Sequence, residues 1–391
     1  MTSDTVRVGI VGLGLASASH FIGYSRHPRA EVVAVCDSDH GRALEFADSR
    51  DVDQVYTSYD EMLVKADLDV VDITTPTYLH APMTRQAAEA GKHVHCEKPF
   101  CRSVGEGRDA VASARRSGVK LLVGETYVFL TSHMTARELI EAGEIGRPLQ
   151  VRERQGAWLE RKEVGVDTGP PDRNWRVDPE RSGGGDFPWV FDHAVHFFAA
   201  AEFFMPGQKI AAVYSVASRG LEGSRSGAAH DPYTSSETDI PIITWTYEDP
   251  SRQGVWMRAE RLNGKYDYMT GISTTIVGET GMIEVLGEGG GNLLWEGRQQ
   301  HLVLHREGKD TLCFRFDEEL DRVWQSEISY YSQGHTNQVH NLIDCVLQDA
   351  EPRYSGEDGI HAVRCTLAAI RSAREGRPVK TEEINPEYTA Y

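Results

Sequence analysis

The sequence predicts an α/β domain with a parallel, doubly wound sheet, followed by an α+β domain with an open, mainly antiparallel sheet flanked by helices. Three observations carry this expectation. Over the first 128 residues short apolar runs alternate with helical patterns, as in a parallel sheet with crossover helices. From residue 149 onward the pattern changes to successive strands with few helices between them, as in an antiparallel or mixed sheet. The chain of 391 residues also exceeds the usual size of one domain.

In the first domain Val6 to Val11 is a β-rich run that ends in Gly12-Leu13-Gly14-Leu15-Ala16-Ser17, and a helical pattern from Ala18 to Arg26 follows. A second apolar strand, Glu31 to Cys36, ends in Asp37. Strand, glycine turn, helix and a second strand with a terminal acid is the order of a Rossmann dinucleotide site. Gly12 permits the turn, and Gly14 lets the backbone approach a pyrophosphate. Leu15 and Ala16, between this turn and the helix, join the candidate cofactor site, the helix N-terminus supplies N–H groups to that anion, and Ser17 is a small residue at the third glycine position. A carboxylate at Asp37 accepts from both adenosine ribose hydroxyls and repels a 2′-phosphate, so NAD is the expected cofactor. Arg42 keeps NADP open, being either a phosphate contact or an exposed helix charge.

The alternation continues through helices near Ser58 to Lys65, Tyr78 to Ala90 and Val104 to Ser117, with strands at Val70 to Thr74, Lys92 to Cys96 and Lys120 to Val123. Ligands of open parallel sheets lie beyond the carboxyl ends of the strands. Thr75, Pro76 and His80 fall there, as do Glu97 and Lys98, and both sets join the candidate cofactor site. Pro99 would end its strand sharply and turn Lys98 toward a cleft. Taken alone, His80 also reads as a helix N-terminal residue and Lys98-Pro99 as an exposed loop.

The second domain opens after a helix from Thr131 to Ala142 and the turn Gly143-Glu144-Ile145-Gly146-Arg147-Pro148. Strands are expected at Leu149 to Gln155, Ile210 to Ala217, Ile240 to Tyr247, Gly254 to Arg261, Gly271 to Val277, Gly281 to Leu286 and onward through Phe316. Ser218 to Pro232, rich in Gly, Ser and Ala, reads as a mobile loop. Trp175-Arg176, then Gly183-Gly184-Gly185, precede Asp192-His193-Ala194-Val195-His196 at the start of an apolar helix. Asp192 and His196 are four apart and share a helix face. A carboxylate there can set the tautomer of an imidazole that titrates near neutral pH, as a general base requires. A core histidine fits the same spacing, and His193 on a neighbouring face fits a structural partner. The segment offers too few further ligands for a metal, so none is expected.

Composition narrows the function classes. Forty-one basic and fifty-nine acidic side chains give a net charge of −18, which disfavours nucleic acid and anionic membranes as partners and suits a small neutral substrate. The N-terminal residues lack a secretory pattern and no apolar run approaches membrane-spanning length, so a cytosolic protein is expected. Six cysteines without a Cys-x-x-Cys pair read as reduced core residues.

Together these segments resemble the Gfo/Idh/MocA oxidoreductases, the family of glucose-fructose oxidoreductase and inositol dehydrogenase, over nearly the whole chain. The resemblance rests on Gly12 and Gly14, Thr75-Pro76 with His80, Glu97-Lys98-Pro99, Gly143 with Gly146, the triple glycine at 183–185, and Asp192 with His196. A closing run, Ser355-Gly356-Glu357-Asp358-Gly359, leads into a helix over about 356–375 that resembles the family's last helix and is expected to pack back toward the first domain. The resemblance implies an NAD-binding domain over 1–128 and a substrate-binding and oligomerisation domain over 129–391, paired as a homodimer or homotetramer through the second sheet.

The activity implied is NAD(P)-dependent hydride transfer at a secondary alcohol or ketone of a sugar, cyclitol or glycoside. His196 would take the hydroxyl proton, Asp192 would orient it, and Lys98 would hydrogen-bond the developing alkoxide. Tyr127, Trp175, Arg176 and His193 would join them around the substrate, and Glu97 would serve the turn. Three segments depart from the family pattern: the run Gly124 to Phe129, which leaves the substrate contacts there open, a longer Gly185 to Asp192 connection containing Phe187, Pro188 and Trp189, which implies a different substrate roof, and a long loop from Trp158 to Trp175, whose aromatics fit either stacking on a sugar face or covering the core. The fold also hosts NAD-dependent glycosidases or sugar-eliminating enzymes that recycle the cofactor internally, and non-catalytic sugar- or NAD-sensing regulators.

Overall fold

A computed structural model describes residues 5–155, 175–176, 178–219, 238–258, 272–288, 301–316 and 330–391. The chain forms two compact units, the first made of Met1–Phe129, Ser332–Val363 and Pro386–Tyr388, the second of Leu130–Tyr331, Arg364–Asn385 and Thr389–Tyr391.

The first unit alternates strand and helix: β1 (Val6–Val11), α1 (Leu15–Arg26), β2 (Ala30–Cys36), α2 (His40–Asp48), β3 (Gln54–Tyr56), α3 (Tyr59–Lys65), β4 (Val70–Ile73), α4 (Thr77–Glu89), β5 (His93–Glu97), α5 (Val104–Ser117) and β6 (Leu121–Gly124). The strands form a parallel sheet in the order β3-β2-β1-β4-β5-β6. The order reverses between β1 and β4, which creates the crevice where open α/β sheets bind ligands. Near-continuous apolar strands suit this position, since a sheet covered on both faces buries alternate side chains in both directions. Val8, Ile10, Val70, Ile73, Val94 and Leu122 have no solvent exposure.

Local chemistry sets the helix starts. Asp39, Ser58 and Ser103 accept backbone N–H groups of Arg42, Glu61 and Glu106 at the first turns of α2, α3 and α5. The expected strands and helices form, with one shift: α1 starts at Leu15, not Ala18, because Gly14 already serves as its N-terminal cap residue. Strand β3 was not legible, being three half-buried residues without a strong apolar pattern.

The second unit contains α6 (Thr131–Glu141), β7 (Pro148–Gln155), α7 (Pro179–Ser182), α8 (Pro188–Phe203), β8 (Ile210–Arg219), β9 (Thr238–Tyr247), β10 (Gln253–Arg258), β11 (Ile272–Gly278), β12 (Gly281–Glu288), β13 (His301–Arg306) and β14 (Leu312–Arg315). Two helices and a short strand close the chain: α9 (Tyr330–Gln348), α10 (Gly356–Glu375) and β15 (Val379–Lys380). The described strands of this unit form one mixed sheet in the order β14-β13-β12-β11-β7-β10-β9-β8-β15. Only β7 and β10 run parallel among the described pairings.

The expected mobile loop from Ser218 lies outside the described residues beyond Arg219, as do residues 156–174. The opening of α10 packs within the first unit, where Gly356 fits against Val111 and Leu121 and Gly359 against Val123 and Phe100.

Gly254 on β10 faces Trp245 on β9, and the Trp245 indole fills the place a side chain would take. Overpacking a filled core costs about 1–3 kcal/mol. Gly254→Val should therefore lower the thermal midpoint of unfolding, read by circular dichroism. An unchanged midpoint would mean that this strand pair is not the packed contact described here.

Candidate active site

The cofactor half of the site is built where β1, β2 and β4 end. Gly12 has φ +86, a conformation that glycine adopts without penalty, and a Cβ at that residue would lie 2.8 Å from the Thr75 backbone. The turns after β1 and β4 are thus pressed together, and Thr74 Oγ1 donates to the Gly12 carbonyl at 2.6 Å. At Gly14 the situation is opposite: a Cβ would meet nothing within 4 Å. Gly14 makes no side-chain cap, so the first turn of α1 presents backbone N–H groups beside open space. Leu15 is 67 % exposed and Ala16 half-buried. Ser17, where a third glycine was expected, is buried and donates to the Gly14 carbonyl at 2.7 Å, so its hydroxyl closes the turn from within. This geometry fits a pyrophosphate.

Asp37 sits beyond β2 with its carboxylate already partly engaged. Oδ2 accepts the Leu13 N–H at 2.8 Å and Oδ1 the Asp39 N–H at 2.9 Å. A carboxylate has about four acceptor positions, which leaves room for ribose hydroxyls. Arg42 Nη1 lies 3.4 Å from both Asp37 oxygens. The two residues that pointed to NAD and to NADP therefore form one ion pair.

Pro76 precedes α4, and His80 on its first turn is buried. Its Nδ1 lies 2.7 Å from the Pro99 carbonyl and its Nε2 2.7 Å from the Thr75 carbonyl. His80 thus ties the loop after β4 to the loop after β5. Burial pushes its pKa down, opposed by the two carbonyl contacts.

At the end of β5 the Lys98–Pro99 peptide is cis. The Lys98 backbone N–H donates to Glu97 Oε2 at 3.2 Å, and the residue is half-buried. Glu97 itself turns inward. Burial alone would raise its carboxyl, but the hydrogen bond from His20 and the charges of His20, His335 and Lys98 hold it down to about 2. His20 in turn has burial against its charge, yet Asp72 and Glu97 push it up to about 10. Asp72, at 2.8 Å from His20 Nδ1, stays well below the usual carboxylate range despite its burial. Of this buried His20–Asp72–Glu97 group, whose members lie on α1, β4 and β5, sequence reasoning singles out Glu97 alone and misses the other two. Tyr127 lies in a 3-10 turn, Thr126–Phe129, and is 2 % exposed.

The second unit gathers the other predicted residues on and before α8. Asp178 accepts from the N–H groups of Glu180 and Arg181 at the start of α7. At Gly185, with φ +58, a side chain would run into the Ala390 carbonyl. Arg374 holds this corner by donating to Ala390 at 2.6 Å and to Asp186 at 3.3 Å.

On α8, Asp192 Oδ2 accepts from Arg176 Nη1 at 3.0 Å, and the Arg176 guanidinium lies 4.8 Å over the Trp175 ring. His193 Nδ1 lies 3.6 Å from the same Asp192 oxygen and 3.1 Å from the Trp189 carbonyl, and its ring stacks on Trp189 at 4.1 Å. His196 is 5 % exposed, one turn further along α8, with its ring centroid 6.5 Å from that of His193. Four of the predicted substrate residues, Trp175, Arg176, Asp192 and His193, therefore form one connected group. The pairing of Arg176 with Asp192 carries no periodic signal in the sequence.

Comparison with known proteins identifies the family of both domains. Residues 6–125 match the oxidoreductase family domain GFO_IDH_MocA, described as an NAD-binding Rossmann fold, and residues 137–381 match its C-terminal alpha/beta domain. A 1,5-anhydro-D-fructose reductase of Ensifer adhaerens is 26 % identical, covering 96 % of this chain and 98 % of its own. A 2,7-anhydro-N-acetylneuraminate hydratase of Mediterraneibacter gnavus is 25 % identical, covering 97 % and 98 %. The solved structure of a levoglucosan dehydrogenase with NADH and levoglucosan has a TM-score of 0.75 at 20 % identity, covering 96 % and 99 %, and so shares the fold. With both domains matched in order, and with a glycine turn and sheet end shaped for the dinucleotide, the chain belongs to the Gfo/Idh/MocA oxidoreductase family and its first domain is an NAD-binding Rossmann domain.

Proposed function

We propose that this protein is an NAD-dependent dehydrogenase acting on a secondary alcohol of a sugar, cyclitol or glycoside. The observation that carries the reading is Lys98, anchored through its own N–H to Glu97 at the carboxyl end of β5. Bound NAD supplies the hydride acceptor. His196 takes the hydroxyl proton on a ring nitrogen, while Lys98 Nζ donates a hydrogen bond to the oxygen as it becomes an alkoxide. Asp192, held by Arg176, fixes the substrate and the His196 ring, and Trp175, His193 and Tyr127 shape the surroundings. In reverse the same groups protonate a ketone.

A second reading is supported by the hydratase relative: an elimination or hydration in which the cofactor is reduced and reoxidised within one turnover. Supplying a panel of monosaccharides, inositols and glycosides with NAD or NADP, and following NADH absorbance, separates the two. NADH well in excess of enzyme supports the dehydrogenase. Product without NADH supports the recycling enzyme. A sensor without catalysis would give neither, and the joint presence of Lys98, Asp192 and His196 speaks against it.

The domain division proposed is 1–128 for cofactor and 129–391 for substrate and subunit pairing. Pairing through the second sheet is supported by an exposed apolar face. Val216, Ile242 and Met257 lie opposite one another on β8, β9 and β10, Tyr214 is two residues along β8, and each is 39–42 % exposed. Six free cysteines, five of them buried, suit the cytosol. Among the described residues no helix is long and apolar enough to cross a membrane.

Three predictions follow from these roles. Asp37→Ser should narrow or reverse a preference for NADH over NADPH, measured as dissociation constants by fluorescence, because it leaves Arg42 to meet a 2′-phosphate. Wild-type protein that binds NADPH as tightly as NADH would refute the assignment of Asp37. Lys98→Ala should keep the fold and NADH affinity yet reduce kcat about a hundredfold or more, since a donor to a developing oxyanion is worth about 3 kcal/mol. Normal turnover would return Lys98 to a loop role.

On α8, His196→Ala should keep NADH affinity and remove most of the oxidation activity, and Asp192→Asn, which keeps the shape of the side chain but not its charge, should lower kcat in a folded protein, both read in steady-state assays. Normal turnover by His196→Ala would reassign the base.

A further inference from the structure

Beneath the end of β5 the first unit encloses a polar cluster of which the hydride-transfer reading uses only Glu97, as the anchor of the Lys98 N–H. Five chain segments contribute: His20 from α1, Asp72 from β4, His95 and Glu97 from β5, Gly124 from β6, and His335 and Gln338 from α9. His20, Asp72, His95 and Gln338 have no solvent exposure, and Glu97 has 8 %.

The distances within the cluster bracket those of a ligand set. Tetrahedral zinc with bonds of about 2.0–2.2 Å places its ligand atoms about 3.3–3.6 Å apart. His20 Nε2 is 3.1 Å from Glu97 Oε1, His335 Nε2 is 3.9 Å from the same oxygen, and the Gln338 amide is 3.4 Å from His20 Nε2. His20, Glu97 and His335 bring their three ligand atoms within 4.8 Å of one another.

The other nitrogen of His20 completes the pattern. Nδ1 lies 2.8 Å from Asp72 Oδ2, the outer carboxylate that typically fixes the tautomer of a metal-bound histidine and turns Nε2 toward the ion.

Two further observations point at an occupant. As placed, Gln338 sets its Nε2 against His20 Nε2, nitrogen facing nitrogen, while its buried Oε1 has no hydrogen-bond partner among the described residues. A half-turn of the amide, which exchanges nearly identical atoms, directs Oε1 into the cluster as a ligand. His95 Nε2 is also buried without a hydrogen-bond partner. It faces the space left by Gly124, where a Cβ would lie 3.0 Å from Glu97 Oε1, 3.1 Å from His95 Nε2 and 3.4 Å from Gln338 Nε2.

We propose that His20, Glu97, His335 and Gln338 bind one divalent transition-metal ion, with Asp72 as the outer-sphere partner of His20. Two imidazoles, one carboxylate and one amide oxygen suit Zn²⁺, and Co²⁺ as its substitute, better than Ca²⁺ or Mg²⁺, which seek all-oxygen shells. Four protein ligands make a closed, structural site. The ion joins α1, β5 and α9, tying residues 318 positions apart in the chain to the strand that Lys98 directly follows.

The test uses the full chain without a polyhistidine tag, stripped with a chelator and titrated with Zn²⁺ or Co²⁺. We expect one equivalent by elemental analysis and calorimetry, a rise of several degrees in the melting temperature, and the intense visible absorption of tetrahedral Co²⁺. His335→Gln, and separately Gln338→Leu, should each weaken binding at least about tenfold and shrink the thermal shift, so that misfolding of either variant leaves the other to decide. Folded wild-type protein that binds no stoichiometric ion, or variants that bind it unchanged, would overturn the site and leave the cluster as imidazoles and carboxylates bridged by protons.

Discussion

Two carboxylates inside a parallel sheet must be compensated, and that requirement organises the carboxyl edge of the first unit. Asp72 and Glu97 occupy neighbouring strands, and His20 bridges them with one ring nitrogen on each. Leaving either carboxylate without its partner would cost several kcal/mol. The bridge therefore fixes α1 against β4 and β5. Because α1 begins at the glycine turn, the same contact sets where the phosphate-facing N–H groups lie. Because Glu97 Oε2 accepts the Lys98 N–H, it also sets the start of the loop that bears the proposed alkoxide donor. His80 adds a second tie between the loops after β4 and β5. One edge is held from below by charge and from above by hydrogen bonds.

The second unit uses packing and aromatic contact for the same purpose. Trp256 on β10 lies under α8 with Phe197 stacked on it at 4.2 Å and Trp189 at 5.9 Å, and the Trp189 ring continues the stack to His193. This ladder fixes the rotation of α8 and so the directions in which Asp192 and His196 project. Asp192 then holds Arg176, whose guanidinium covers Trp175.

The fold was legible where its causes are local. Alternating apolar runs, serine and aspartate caps and the Gly12–Gly14 turn are written within a few residues of the structure they produce, and β1, β2, β4, β5 and the helices between them follow from them. The candidate residues on one helix, Asp192 and His196, could be paired by their spacing. Contacts between segments remote in sequence could not. Nothing near His20 announces Gln338 or His335, and nothing in β7 or β10 distinguishes a parallel pairing from an antiparallel one. Arg42 illustrates the boundary, since its place at a helix start was readable but its ion pair with Asp37 required the turn after β2 to be seen.

If, as proposed, hydride passes between a secondary carbon of the substrate and the nicotinamide and reduced cofactor leaves the enzyme, an accepted sugar or cyclitol carrying deuterium on the oxidised carbon, supplied with NAD, should yield NADH in solution with deuterium at C4 of the dihydronicotinamide in one stereochemical position, in amounts exceeding the enzyme, as read by NMR. Conversion of the labelled substrate with no deuterated NADH in solution would rule out net hydride transfer to a released cofactor.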